Sequence, residues 1–221
     1  MDLELARQNM VEQQIRPAEV LDQEILDLLY LVPREDFVPP AYRSLAFADI
    51  EIPLTSPDRP DARMWRPLLE ARVLQHLMPR RIDRVLEVGT GSGYLTALLA
   101  HRVAQVISVE IDPALAAAGS ANLARHRVRN VQLEVGDAAR GWPGQAPYDA
   151  IVLTGSTPVL PSSLLAQLAP GGRLFAIVGE EPVMRASIVD CAATGTFHTR
   201  VLFETVLAPL ANCEQAPRFS F

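Results

Sequence analysis

Apolar residues along the chain recur at two spacings, and the switches between them mark out the elements. Residues 84–88, Arg84-Val85-Leu86-Glu87-Val88, are β-branched and mostly apolar, the pattern of a strand buried in a parallel sheet. They run without a gap into Gly89-Thr90-Gly91-Ser92-Gly93-Tyr94, after which Leu95, Leu98 and Leu99 recur at helical spacing. The same unit then repeats. Val106-Ile107-Ser108-Val109 predicts a second strand ending in Glu110, and Asp112-Pro113 reads as the N-cap and first residue of the next helix. Gly119 inside that helix costs about 1 kcal/mol relative to alanine. Val131, Leu133 and Val135 alternate as a third strand ending at Gly136-Asp137-Ala138. Ala139-Arg140-Gly141-Trp142-Pro143 predicts a turn-rich link to a fourth strand over 148–153, whose end is Thr154-Gly155-Ser156. Leu164, Leu165 and Leu168 predict a helix, Pro170-Gly171-Gly172 a sharp turn, and residues 174–178 a fifth strand. Residues 184–191 and 197–204 flank Thr194-Gly195 as the two strands of a hairpin.

Before this run, residues 3–15 carry apolar positions at uneven spacing, consistent with an amphipathic helix ended at Arg16-Pro17. A second helix is expected over 22–31, with Asp22 as its N-cap and Pro33 beyond its end. Residues 33–40 and 46–54 read as irregular, and Leu68, Leu69, Val73, Leu74 and Leu77 describe a helix after Pro67. The expected architecture is a Rossmann-like α/β fold, a mostly parallel seven-stranded sheet flanked by helices, with an N-terminal helical extension. Residues 1–80 form that extension, 81–210 the α/β core, and 211–221 a poorly ordered tail.

Composition narrows the chemistry. Among 221 residues all 20 basic side chains are arginine, so no lysine serves as nucleophile or Schiff base, and the net charge of −6 argues against a general grip on nucleic acid. Cys191 and Cys213 have no ligand-like spacing to each other or to His76, His101, His126 and His198, so no metal is expected. No apolar stretch approaches the roughly 20 residues of a membrane span, and no leader pattern opens the chain, so no membrane and a cytoplasmic location are expected.

The glycines carry the positive signal. On a strand-to-helix crossover, missing side chains let a ligand approach the backbone, and the free N–H groups of the first helical turn favour a negative or polar group. A dinucleotide fingerprint needs a small residue where this chain has Tyr94. Glu87 before the first glycine, glycines at alternate positions and Glu110 at the next strand end instead resemble the S-adenosylmethionine-dependent methyltransferases. An acid about 20 residues beyond such a turn is placed to accept hydrogen bonds from ribose hydroxyls. The resemblance implies a cofactor set of Glu87, Gly89, Thr90, Gly91, Gly93, Glu110, Ile111, Asp137, Ala138 and Thr154, with Asp137 near the adenine amino group.

Two N-terminal stretches make the resemblance specific. Met10-Val11-Glu12-Gln13-Gln14-Ile15-Arg16 and Val32-Pro33-Arg34-Glu35-Asp36-Phe37-Val38-Pro39, followed by the glycine motif, are similar in order to the protein-L-isoaspartate O-methyltransferase family. The resemblance implies methylation of the α-carboxyl of isoaspartyl residues for protein repair, with S-adenosylmethionine as cofactor, a protein or peptide substrate, and a monomer or weak dimer. One segment departs. Where the family carries Gly-Gln-Thr-Ile-Ser-Gln-Pro, this chain is longer and ends Arg63-Met64-Trp65-Arg66-Pro67, which sets Trp65 at the serine and Arg63 at the threonine. Thr55, Ser56, Arg63 and Trp65 are therefore the candidates on the acceptor side, either in a rebuilt pocket or on a surface loop with Trp65 tucked into the core. The alternatives are a relative methylating another small acid or a hydroxylated compound, and a non-catalytic protein that binds the cofactor.

Overall fold

The computed structural model describes residues 2–54 and 62–215. Thr55 and Ser56 lie outside the described residues. Helix α1 (Leu3–Asn9) is capped by the Asp2 carboxylate, which accepts from the Glu4 and Leu5 N–H groups. The chain then widens into π-winding over Met10–Ile15 and tightens to 3-10 over Arg16–Ala18, so the single helix expected to Ile15 changes pitch after Asn9. Met10, Val11 and Ile15 are all buried, and a five-residue step from Met10 to Ile15 suits the wider i to i+5 turn. Helix α2 (Gln23–Leu31) starts at Asp22 as expected.

The next elements are strands β1 (Ile52–Pro53) and β2 (Arg63–Met64), paired antiparallel, and helix α3 (Pro67–Leu77). The α/β run follows as β3 (Arg84–Val88), α4 (Tyr94–Ala100), β4 (Gln105–Glu110), α5 (Pro113–Arg125), β5 (Val131–Val135), β6 (Tyr148–Thr157), α6 (Ser162–Leu165) and β7 (Leu168–Glu180). Strands β8 (Val183–Ala193) and β9 (Thr196–Glu204) close the sheet as the expected hairpin. The order is β5-β4-β3-β6-β7-β8-β9, parallel through β7 and antiparallel beyond it. Two expectations fail here. Helix α6 is four residues long and Leu168 opens β7, while Pro170-Gly171-Gly172 lies within that strand. Tyr148 pairs with Leu168 and Ala150 with Arg173, so the turn residues loop out opposite Asp149 and pairing resumes beyond them.

Alternation along β3 separates the two cores. Val85 joins Met10, Leu29, Leu74, Leu98 and Phe175 on one side, and Leu86 joins Ile107, Ile151, Leu164 and Leu174 on the other. The connections run in opposite directions from the β3–β6 pair, which opens a crevice at the carboxyl ends of these strands.

Arg34 ties the N-terminal region to that crevice. Fully buried, it donates from Nε to the Ala46 carbonyl at 2.8 Å and from its other nitrogens to the Glu70 carboxylate and the Trp65 carbonyl. Its guanidinium lies 4.9 Å from the Tyr94 ring centroid, and Phe37 meets the same ring edge-on.

The segment after β9 returns to the end of β6. Ser156 donates from its N–H to Ala208 O and from Oγ to Leu207 O, and its own carbonyl accepts from Leu210 N–H. The chain is thus fastened across the end of β6.

Candidate functional site

The cleft at the strand ends begins with the backbone of the glycine turn. Gly89 has φ +99°, and a Cβ there would meet Thr154 Oγ1 at 2.1 Å. That closeness has a use, because the Thr154 hydroxyl donates to Val88 O at 2.7 Å and to Gly89 O at 3.0 Å, fixing the turn to the end of β6. Gly91, at φ +52°, turns the chain so that its N–H donates to Glu110 Oε2 at 2.9 Å, and Asp112 N–H donates to Oε1 at 3.1 Å. Glu110 is thereby oriented by two backbone donors. Each carboxylate oxygen keeps a lone pair for a further donor.

Behind the turn, Glu87 is fully buried. Thr96 Oγ1 and Ser108 Oγ both donate to its Oε2, at 2.5 and 2.6 Å, while buried Oε1 has no partner among the described residues, and the residue lines the cleft. Burial pushes its carboxyl up to about 8; the two hydroxyls oppose that rise and the Glu110 charge adds to it. An uncharged cleft therefore favours the protonated acid, and a cation placed beside Oε1 would draw the proton off. Glu70 is also pushed up to about 8 by burial, with Arg34 pulling the other way.

Of the cofactor set expected from sequence, Glu87, Gly89, Thr90, Gly91, Glu110, Ile111, Asp137, Ala138 and Thr154 all line the cleft. Gly93 does not. At φ +81° it turns toward α5, where a Cβ would press on Gly119 O at 3.1 Å and Leu123 Cγ at 3.3 Å. Gly119 in turn faces Gly91 O and Thr90 Cγ2, each 3.0 Å from where its Cβ would stand, so the helix-weakening glycine lets α5 approach the turn. Ile111 is 42% exposed at the rim, an apolar face beside Glu110. Asp137 accepts from Ala139 N–H at 3.0 Å and, on its other oxygen, from Asn212 Nδ2 at 2.9 Å.

On the acceptor side, Trp65 is both core and wall. It packs edge-on against Phe175 and lines the cleft, with its indole N–H donating to Thr154 O at 2.9 Å. Arg63 lines the cleft as well, near Glu51, while Arg66 donates to Thr205 Oγ1. Burial raises the Glu51 carboxyl, and Arg63 and Arg66 restrain that rise.

Sequence reasoning missed Thr96 and Ser108, although a lone hydroxyl inside each apolar run was a signal. It also missed Arg34 as the anchor of Trp65 and the contribution of Leu207–Ala211 to the cleft wall. Among the described residues no group of three or more His, Cys, Asp or Glu side chains is arranged to hold a metal ion.

Comparison with known proteins gives a consistent result. Residues 5–215 match the family model for protein-L-isoaspartate(D-aspartate) O-methyltransferase (PCMT). A protein-L-isoaspartate O-methyltransferase of Methanoculleus marisnigri is 43% identical over 173 residues, 78% of this chain and 77% of that one. One from an Anaeromyxobacter species is 44% identical over 197 residues, 87% and 90% of the two chains. Among solved structures, a protein-L-isoaspartate O-methyltransferase superposes with a TM-score of 0.82 at 23% identity, covering 93% of this chain and 66% of its own. A Plasmodium falciparum chain described by the same activity, crystallised with S-adenosyl-L-homocysteine, gives 0.78 at 18% identity, covering 95% and 98%.

Proposed function

The chain belongs to the protein-L-isoaspartate(D-aspartate) O-methyltransferase family, and from that premise we propose that it transfers a methyl group from S-adenosylmethionine to the free carboxylate of isoaspartyl residues in proteins or peptides. The observation that carries the reading is the cleft lined by an open glycine backbone, the oriented Glu110 carboxylate and Glu87, whose buried Oε1 has no partner among the described residues. In this reading Glu110 receives the ribose hydroxyls, Ile111 and Ala138 flank the adenine, and Asp137 meets its amino group. Glu87 offers Oε1 to the positively charged part of the cofactor. Thr154 holds the turn that all of these contacts share.

When bound, S-adenosylmethionine supplies a methyl group already activated on sulfur, so the protein's work is alignment and exclusion of water. A carboxylate acceptor is ionised at neutral pH and needs no general base. It does need donors. Arg63 lines the cleft near Glu51 and carries a planar, permanently charged fork suited to a carboxylate, so it is our candidate for holding the acceptor.

The test is transfer of radiolabelled methyl to an isoaspartyl hexapeptide, scored as alkali-labile ester against the same peptide carrying ordinary aspartate. Ester formation on the isoaspartyl peptide alone is expected. Tight binding of S-adenosylmethionine without any ester would redirect the assignment to another small acid or a hydroxylated acceptor.

A further inference from the structure

The segment after β9 does more than complete a wall. Pro209 bridges to Ser156 at the end of β6, and three residues later the Asn212 side chain reaches Asp137 beyond the end of β5. Strands β3 and β4 lie between those two anchor points. Ala211 and Asn212 form a turn, and the left-handed backbone of Asn212 sends its side chain to Asp137, so the segment is anchored on both sides of the β3–β4 strand ends. It passes over the ends of the very strands that carry Gly91 and Glu110. Leu207, Ala208, Pro209, Leu210 and Ala211 all face the cleft beneath.

The two ends of this strap are fastened unequally. At Ser156 there are two backbone hydrogen bonds and one from the hydroxyl, and Leu210 packs so closely on Gly155 that a Cβ there would stand 2.8 Å from its N. At the far end the tie to Asp137 among the described residues is the amide-to-carboxylate bond of Asn212, an exposed side chain carried on left-handed backbone at φ +58°. A ligand lying across the glycine turn, Glu110 and Asp137 would sit against this span.

We propose that residues Leu207–Asn212 are a strap over the cofactor cleft, latched by the Asn212–Asp137 hydrogen bond, and that Asn212 is a positioning residue setting how long the cofactor stays bound. The proposal rests on the cofactor placement given above. Asn212 acts through Asp137 in two ways. It holds the carboxylate toward the cleft together with the Ala139 N–H, and it keeps the strap down.

The test measures the dissociation rate of S-adenosylhomocysteine by stopped flow for the parent, Asn212→Gly, Asp137→Asn and the double variant. Glycine accepts the left-handed backbone without strain while removing the side chain that makes the bond. Asn212→Gly should release the ligand on the order of fivefold faster, the effect of losing one modest hydrogen bond, with its melting temperature close to the parent's. In the Asp137→Asn background the same substitution should add little, because the bond it removes is already weakened; a purely structural role would give additive effects. An unchanged rate in Asn212→Gly, or full additivity in the double variant, would overturn the latch. Failure of the parent itself to bind S-adenosylhomocysteine would instead count against the cofactor placement.

Discussion

One side of the cleft is built from main chain and short buried side chains at the ends of β3, β4 and β6; the other is built from long side chains on the segment that joins β1 to α3. On the first side the groups are held by neighbours at the strand ends, as Gly91 N–H and Asp112 N–H hold Glu110 and Thr154 holds the glycine turn. On the second, Trp65 is held by its carbonyl to Arg34 and by its ring to Thr154 and Phe175, contacts with elements far away in sequence. The difference teaches that the cofactor side is fixed by short-range bonds between the strand-end loops, while the acceptor side is fixed by a few buried polar side chains from distant parts of the chain. A change in one of those few should therefore cost more than its surface area suggests.

The largest effect should come from Arg34→Met, which leaves Glu70 buried without its cation. The Ala46 and Trp65 carbonyls lose the same donor, and each buried acceptor left unpaired costs about 1–3 kcal/mol, so the variant should melt at least about 6 °C lower. The comparison sharpens if Glu70→Gln in the same chain restores part of that loss, and breaks if Arg34→Met melts with the parent. Next is Glu110→Ala, which strips the cofactor side of its oriented acceptor. Losing hydrogen bonds to a charged group costs about 1.5–3 kcal/mol each, so calorimetry should show S-adenosylmethionine bound at least tenfold more weakly. Equal affinity would remove Glu110 from the site.

A smaller effect concerns pH. The Glu87 carboxyl is raised in the folded protein to about 8, above its unfolded value of about 4.5, so folding takes up a proton between those limits. Its contribution to stability is full below the unfolded value and is lost as pH rises through about 8. Glu87→Gln mimics the protonated acid, and its ligand-free melting temperature should fall less between pH 5 and 8 than the parent's, by a few degrees. Glu70 keeps part of the slope in both proteins. Smallest is Trp65→Phe, which removes the N–H bonded to Thr154 and costs about 0.5–1.5 kcal/mol. Its kinetic signature should be a raised KM for isoaspartyl peptide with little change for S-adenosylmethionine, since only the acceptor side has lost a contact.

The same division governs what could be read from sequence. Buried parallel strands advertise themselves by apolar runs, and the N-caps Asp22 and Asp112 by their place before helical periodicity, so the sheet, the glycine turn and Glu110 were legible. Gly93 packs against α5, and a glycine that admits a neighbouring helix has the same sequence signature as one that admits a ligand. Pro170-Gly171-Gly172 was misread because a looped-out bulge uses the residues of a turn, and the difference lies in whether pairing resumes beyond it. The strap and the Arg34 anchor had no local signal. Leu207 meets Ser156 and Arg34 meets Trp65 across 51 and 31 positions, distances at which hydrophobic period carries no information.

Thr154 stands where the two sides touch. Its hydroxyl is spent on the glycine turn, its carbonyl takes the indole of Trp65, and the room for its side chain exists only because residue 89 has none. Positions 65, 89 and 154 therefore form one three-letter word. A designer who wished to put a serine-sized residue back at 65 would have to find the Thr154 carbonyl a new donor, and one who enlarged 89 would have to shorten 154 and forgo the clasp on the turn.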